Sequence, residues 1–435
     1  MNRRAFLSTS LAGQAILGAK PNPPAVKSGS GGKLGSYSLD KIRDQYRYDL
    51  FQDFLPFMEK HVIDHEYGGF MCNTDRDGTK ITKEKTAWYE GRGIWVYSFL
   101  YNNLAKEREY LEVSRKSLEF VLKHMPSGDS TWPKRFTREG EAIGGPDPEI
   151  WGDLYIAEGL AEYSRATGDP KYWDMAKDIM LKCVRIYDRP DYYAPSYTPP
   201  KGPLFPGARI QGVWMVLVSI CTKMLETKKD PDVERIAARC VDAVMNYHFN
   251  PEFQLNNELL NHDLSRPTNE YAQLVYTGDA IEALWMLLYE AARLKDKKLF
   301  HTFADRFRRH VEVALDRIYG GVFHELRNVD QNIWAVDKVL YPQEGVLIGS
   351  LFVVEHTGAQ WAKNMFAEQF GYVQAKYPLK RYSLPLWTVS SDRRVTFQRH
   401  SNRIEHFHHP RHLMLNLLCV ERMIERKGRI SGLFA

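Results

Sequence analysis

Several things are missing from this chain of 435 residues. It has no run of about 18 apolar residues, so no transmembrane span is expected. Its five cysteines, Cys72, Cys183, Cys221, Cys240 and Cys419, are odd in number, widely spaced and form no Cys-x-x-Cys. That pattern indicates neither a disulfide framework nor a zinc site. Cys183, Cys221 and Cys240 sit among apolar residues of predicted helices, where a thiol behaves as a small hydrophobe. Charge of one sign is also lacking. The formal balance is +5, and the densest basic run, Arg293 to Arg309, alternates with apolar positions at helical spacing. It reads as the solvated face of an outer helix, and nucleic-acid binding is not expected. Strand signals are scarce, with Gly68–Gly69–Phe70 and Gly320–Gly321–Val322–Phe323 reading as small hairpins on a rim.

What is present is a leader and a long alternation of helices. Asn2–Arg3–Arg4–Ala5–Phe6–Leu7 is a twin-arginine pattern ahead of a short apolar stretch ending at Ala19. Residues 1–19 therefore read as an export signal, and a periplasmic location is expected. Residues 20–36 are rich in Pro, Gly and Ser and read as a flexible leader. From residue 37 to 435 a single domain is expected. Amphipathic helices begin near Glu107, Pro170, Pro231, Lys297 and Ala359, roughly 60–66 residues apart. Before each lies a more apolar helix: Glu90–Leu104, Glu149–Thr167, Arg209–Thr227, Asp279–Lys295 and Gln343–Thr357. A sixth apolar helix, Pro410–Arg426, closes the chain, and an amphipathic helix at Ser38–Val62 opens it. This all-α alternation predicts a two-layer helical barrel, with the apolar helices inside and the amphipathic ones outside.

Each inner helix carries polar groups in its first turn, where apolar packing would otherwise be expected. They are Arg92, then Asp153, then Gln211, then Asp279 with Glu282, then Gln343 with Glu344. His406, His408 and His409 precede the sixth, which begins with Pro410 and Arg411. In a barrel of hairpins all inner helices run the same way, so these groups converge on one mouth and make a small-molecule site. Arg92 lies in an aromatic-rich helix with Trp95, Tyr97 and Phe99; a cation there must be paired or face a polar cavity. Guanidinium and aromatic faces together suit a polyhydroxylated ligand, although Arg92 also reads as a bridge between helices. Asp279 and Glu282 share a helix face at i and i+3, which can leave one as base and the other as acid. Asp279 fits a helix cap as well. The histidines suit proton transfer near neutrality, and no carboxylate–histidine spacing of a known metal motif accompanies them.

The segments GGFMCNTDRDG, WYEGRGIWVYSFLY, GDAIEALWMLL, YGGVFHEL and FHHPRHLML resemble, in order, those of the N-acylglucosamine 2-epimerase and cellobiose 2-epimerase family. The resemblance implies an (α/α)6 barrel. It matches Arg92 to the family's arginine of the first inner helix, Glu282 to its glutamate and His408 to its C-terminal acid/base histidine. Asp279 stands where the family has a histidine. The histidine of the third inner helix is absent, with Gln211 the nearest polar group, and the family's aromatic platform is reduced to Tyr341. The implied activity is a sugar 2-epimerase or aldose–ketose isomerase acting through a cis-enediol(ate). His408 and Asp279 would be its acid/base groups, Glu282 would tune them and Arg92 would hold the oxyanion. Trp95, Trp151, Tyr341 and Trp387 are candidates for stacking on the sugar, and Asp153, Gln211, Gln343, Glu344 and Arg411 for binding it. Neither metal nor redox cofactor is required. The expected partner is a small sugar or short oligosaccharide, with the chain a monomer or homodimer. A glycoside hydrolase or lyase using Asp279 and Glu282, or a non-catalytic sugar binder, is the alternative on the same fold.

Overall fold

The computed structural model describes residues 32–195, 205–378, 390–391, 403–404 and 406–434. The export segment, most of the leader and Trp387 lie outside the described residues. Lys33–Leu34 pairs with Tyr37–Ser38 in a short hairpin, and Leu34 is buried. The folded part thus starts a few residues ahead of the boundary expected at 37.

The first outer element is α1 (Leu39–Tyr48), which runs through a π-helical stretch at Asp49–Phe54 into α2 (Leu55–His61). Five hairpin-like pairs follow. The inner helices are α3 (Ala87–Asn103), α5 (Trp151–Thr167), α7 (Gln211–Thr227), α9 (Thr277–Leu294), α11 (Leu340–Thr357) and α13 (His408–Glu425). The outer ones are α4 (Arg108–Leu122), α6 (Pro170–Tyr187), α8 (Pro231–Asp242), α10 (Lys297–Ala314) and α12 (Gln360–Lys376). Three of the outer starts, those of α6, α8 and α10, are set by side-chain caps. Asp169 accepts from the Lys171 N–H, Asp230 from Asp232 and Val233, and Asp296 from Leu299. Pro170 and Pro231 stand in the first turn, where a missing N–H costs nothing. On α10, Phe300, Phe303 and Phe307 face inward while Lys297, Lys298, Arg308 and Arg309 are exposed. The inner helices are buried nearly all round, as their apolar sequences demand.

Each inner helix packs on the next in chain order, and α13 returns to α3, closing the ring. The architecture is an (α/α)6 barrel. Its tightest seam joins α3 and α5. A Cβ on Gly91 would lie 2.3 Å from the Tyr155 carbonyl carbon, and one on Gly159 would lie 2.7 Å from the Gly91 oxygen, so only glycine lets the backbones meet.

The two glycine corners are built alike. In each, an aspartate side chain accepts the N–H groups two and three residues on: Asp64 from Glu66 and Tyr67, Asp316 from Ile318 and Tyr319. A buried lysine closes the corner. Lys85 Nζ lies 3.0 Å from Asp64 and donates to the Gly68 carbonyl, while Lys338 Nζ lies 2.8 Å from Asp316 and donates to the Gly320 carbonyl. Gly68 and Gly69, and likewise Gly320 and Gly321, have positive φ. The strands expected here are reduced to single bridges, Ile63 with Phe70 and Leu315 with Val322. Each lysine immediately precedes an inner helix, α3 or α11, so the corners fix where those helices enter the barrel.

Candidate active site

At the end of the barrel where the inner helices begin, two neighbouring cavities of about 240 and 250 Å³ share Trp88, Arg92, Tyr341 and His408 as walls. Glu344 and His409 line the first, and Asp279, Glu282, Trp151 and Tyr155 line the second.

Arg92 stands between three aromatic rings. Its guanidinium carbon lies 4.2 Å from the Tyr155 centroid and 4.7 Å from those of Trp88 and Phe407, and Nη2 donates to the Tyr155 hydroxyl at 2.8 Å. Trp88 stacks on Tyr155 with 8° between the planes and on Trp151 with 20°, giving one flat aromatic wall. Such a wall suits the C–H faces of a sugar, with the guanidinium beside it for the oxygens.

The opposite wall is acidic. The Tyr341 hydroxyl donates to Asp279 Oδ1 at 2.8 Å, and its ring lies 5.3 Å from that of His408. His408 Nε2 lies 3.7 Å from Glu282 Oε2. Arg411 donates to Glu282 Oε1 and packs on Trp285 and Phe407, so Glu282 is anchored from the far side. Burial and the adjacent Glu282 push the Asp279 carboxyl up to about 6, against the pull of the Tyr341 hydrogen bond. Two carboxylates one turn apart thus have different environments: Glu282 holds an arginine, and Asp279 is free to exchange a proton in the neutral range. Burial, then Asp279, also hold the Tyr341 phenol well above its ordinary value, so it stays a donor. Gly212 lies at the foot of this wall. A Cβ there would sit 3.5 Å from Asp279 Oδ2, leaving open space above the carboxylate.

The remaining sequence candidates fall elsewhere. Asp153 accepts the Trp132 N–H at 3.0 Å and meets Lys182 Nζ of α6 at 2.6 Å. Gln211 accepts from Asn256 Nδ2, and Gln343 takes the Val322 N–H and the Gln369 amide of α12. These three lie on the backs of their helices and tie the inner ring to rim and outer layer. Their neighbours on the other face, Trp151, Gly212 and Glu344, reach the cavity, because one helix position turns a side chain by about 100° and two positions, as between Trp151 and Asp153, by about 200°. Trp95 is core, stacked on Phe99 and edge-on to Phe407. His406 is buried between the Tyr89 carbonyl and the Cys72 thiol. All five cysteines are free and buried.

Lining residues that the sequence reading passed over are Trp88, Tyr89, Tyr155, Arg76 and Arg403, whereas His409, one of the histidines read at the start of the sixth inner helix, does reach the first cavity. Trp88 lies one turn before Arg92, and Tyr155 one turn after Trp151, so helical spacing alone could have flagged both. His409 Nδ1 lies 2.6 Å from Glu344 Oε1. Burial alone would raise the Glu344 carboxyl, but His409 and His412 outweigh it and leave it below the ordinary range.

Comparison with known proteins agrees with this fold. Residues 68–410 match the family described as N-acylglucosamine 2-epimerase (GlcNAc 2-epimerase). The N-acylglucosamine 2-epimerase of Bos taurus is 25% identical over 346 residues, covering 76% of this chain and 78% of that protein. The solved structure of cellobiose 2-epimerase from Bacillus thermoamylovorans B4167 superimposes with a TM-score of 0.74 at 16% identity, over 88% of this chain and 100% of that one. That of a D-mannose isomerase gives 0.71 at 13% identity, over 90% and 100%. At these identities the structural likenesses speak to the fold.

Proposed function

We propose that this chain, which belongs to the N-acylglucosamine 2-epimerase family, moves the C2 proton of an open-chain aldose between Asp279 and His408. It is an enzyme of the sugar epimerase or isomerase type. The single observation that carries the residue roles is the pairing of an acid/base wall, Asp279–Tyr341–His408, with an arginine set in aromatic rings across the same cavities.

The chemistry follows from what each group can do. One base removes the proton on C2, and the electron pair passes into the C1–O1 carbonyl to give a cis-enediolate. Arg92 supplies N–H donors to the new oxyanion; its aromatic surroundings keep water away and strengthen that contact. Return of a proton to the other face of C2 gives the epimer. Return to C1, with loss of the O2 proton, gives the ketose. No electron leaves the substrate. Glu282 is a positioning residue, braced by Arg411 and set against His408. The substrate class is an aldose or its N-acyl or oligosaccharide derivative, as the names of the relatives suggest.

The test is incubation of aldoses, ketoses and short oligosaccharides in D2O, followed by proton NMR. The expected result is exchange of the C2–H signal together with a new epimer or ketose. New reducing ends without exchange would replace this reading by glycoside cleavage at Asp279 and Glu282. Silence across the panel would leave a sugar binder.

A further inference from the structure

Behind the acid/base wall, α11 and α13 bring together a second set of groups that the proton-transfer reaction does not use. Among the described residues, Glu344, His409 and His412 form one group whose potential ligand atoms all lie within 4.8 Å of one another. His409 and His412 are at i and i+3 on one face of α13, and Glu344 stands in the first turns of the neighbouring α11.

The hydrogen bonding of this group is incomplete. Glu344 Oε2 is buried and accepts no hydrogen bond. His412 Nδ1 points at Glu344 Oε1 from 3.5 Å without forming a hydrogen bond to it. A buried carboxylate oxygen without a donor is costly, so the arrangement calls for a positive partner. His412 is meanwhile fixed from its other nitrogen. Its Nε2 lies 3.3 Å from the Tyr46 hydroxyl, which in turn accepts the Asn416 amide at 3.1 Å. A ring held at Nε2 by an oxygen and presenting Nδ1 to a shared point is the usual outer support of a metal-ligating imidazole.

We propose that Glu344, His409 and His412 form a site for a divalent transition-metal ion, with zinc the best fit to two imidazoles and one carboxylate. Around a tetrahedral ion with bonds of about 2.0–2.1 Å, neighbouring ligand atoms stand about 3.3 Å apart. The 3.5 Å between His412 and Glu344 already suits this, and the 2.6 Å between His409 and Glu344 opens by about 0.7 Å as a proton is exchanged for the ion. Glu344 and His409 also line the cavity shared with Arg92 and His408, so the fourth coordination position faces the space where water or a sugar oxygen enters. Borderline imidazole and carboxylate donors favour zinc, cobalt or nickel over magnesium or calcium. The site stands whether or not the cavity carries out epimerisation.

The experiment uses the full chain with any purification tag removed, stripped with a chelator and titrated with Zn2+ alone by calorimetry. One ion per chain is expected. Glu344→Gln and His412→Gln should each abolish stoichiometric uptake. Tyr46→Phe, which loses only the outer support, should weaken it about tenfold. His408→Asn should leave it intact. Circular dichroism checks that the variants fold; should one fail, zinc-edge anomalous scattering from wild-type crystals decides, with a peak between Glu344, His409 and His412 expected. No stoichiometric uptake by the stripped wild type, unchanged uptake in both folded ligand variants, or a zinc peak elsewhere would overturn the proposal.

Discussion

Replacing Asp279 by asparagine should make this protein more stable and nearly inactive at once. Burial and Glu282 raise the carboxyl from an ordinary 3.8 to about 6 in the folded state. Between those pH values the folded protein keeps a proton that the unfolded chain has released. Stability is then fully present below the unfolded value and declines as pH rises through the folded one, the reverse of a salt-bridged aspartate. That rise is worth ~3 kcal/mol. Contact of the carboxylate with the cavity trims this to ~1–3 kcal/mol. Asparagine is neutral throughout, and its carbonyl can still accept from Tyr341. At about pH 7.5 the variant should therefore exceed wild type by ~1–3 kcal/mol, and near pH 4 the two should coincide. Turnover should fall by ~10²–10⁴, because an amide cannot take up the proton. Wild-type kcat/KM should decline below about pH 6 if ionised Asp279 is the base. Urea unfolding at several pH values, with turnover measured on the same samples, provides the assay. A variant that is less stable than wild type at neutral pH, or one with normal turnover, would remove Asp279 from the proton-transfer pair; the helix-cap role that the sequence also allowed does not hold, because α9 starts at Thr277 behind Tyr276 and Asp279 stands inside its first turn.

Other expectations follow from the same geometry. Arg92→Lys should keep the fold and lose ~10²-fold or more in kcat, since an ammonium cannot span the oxyanion and the Tyr155 hydroxyl together; wild-type rates would remove Arg92 from the site. Gly91→Ala places a methyl inside the α5 backbone and should cost ~3 kcal/mol or more, read as a drop in urea midpoint; an unshifted midpoint would contradict the packing of that seam. His408→Asn should abolish C2–H exchange in D2O while sugar binding, followed by tryptophan fluorescence, persists; continued exchange would exclude it as an acid/base group. The twin-arginine reading of the first residues predicts that Arg3→Lys with Arg4→Lys leaves the protein in the cytoplasm, as cell fractionation would show, and intact mass should give five free thiols.

The inner and outer helices were legible because period and polarity coincide: apolar stretches such as Gln211–Thr227 can only be interior, and Asp-Pro starts mark two of the outer helices, α6 and α8. The direction of individual side chains was not. Asp153, Gln211 and Gln343 were read as site residues because they are polar near the start of apolar helices, yet the same polarity serves to hold Trp132, Asn256 and Val322. A shift of one residue turns a helix position by about 100°, beyond what a pattern resolves. The glycine corners were visible as turns, but their bracing by Lys85 and Lys338 was not, since each lysine lies well downstream of its aspartate. The Glu344–His409–His412 group was hidden for the same reason. Glu344 and His409 were each noted, but they stand on different helices, α11 and α13.

The closing of the ring by α13 on α3 and α1 has a consequence for how the molecule is made. His408 and Arg411 belong to the last helix synthesised among those described, and His412 and Asn416 reach back 366 and 370 residues to Tyr46. Every other inner helix can pair with its predecessor as it emerges, but the pocket has no sixth wall until this long loop is shut. Folding is thus expected to be cheap and local for most of synthesis and to turn on one late, distant docking event. A nascent chain stalled before residue 408 would expose the apolar flanks of α11 and α3 together, the surface on which aggregation of such an intermediate is expected.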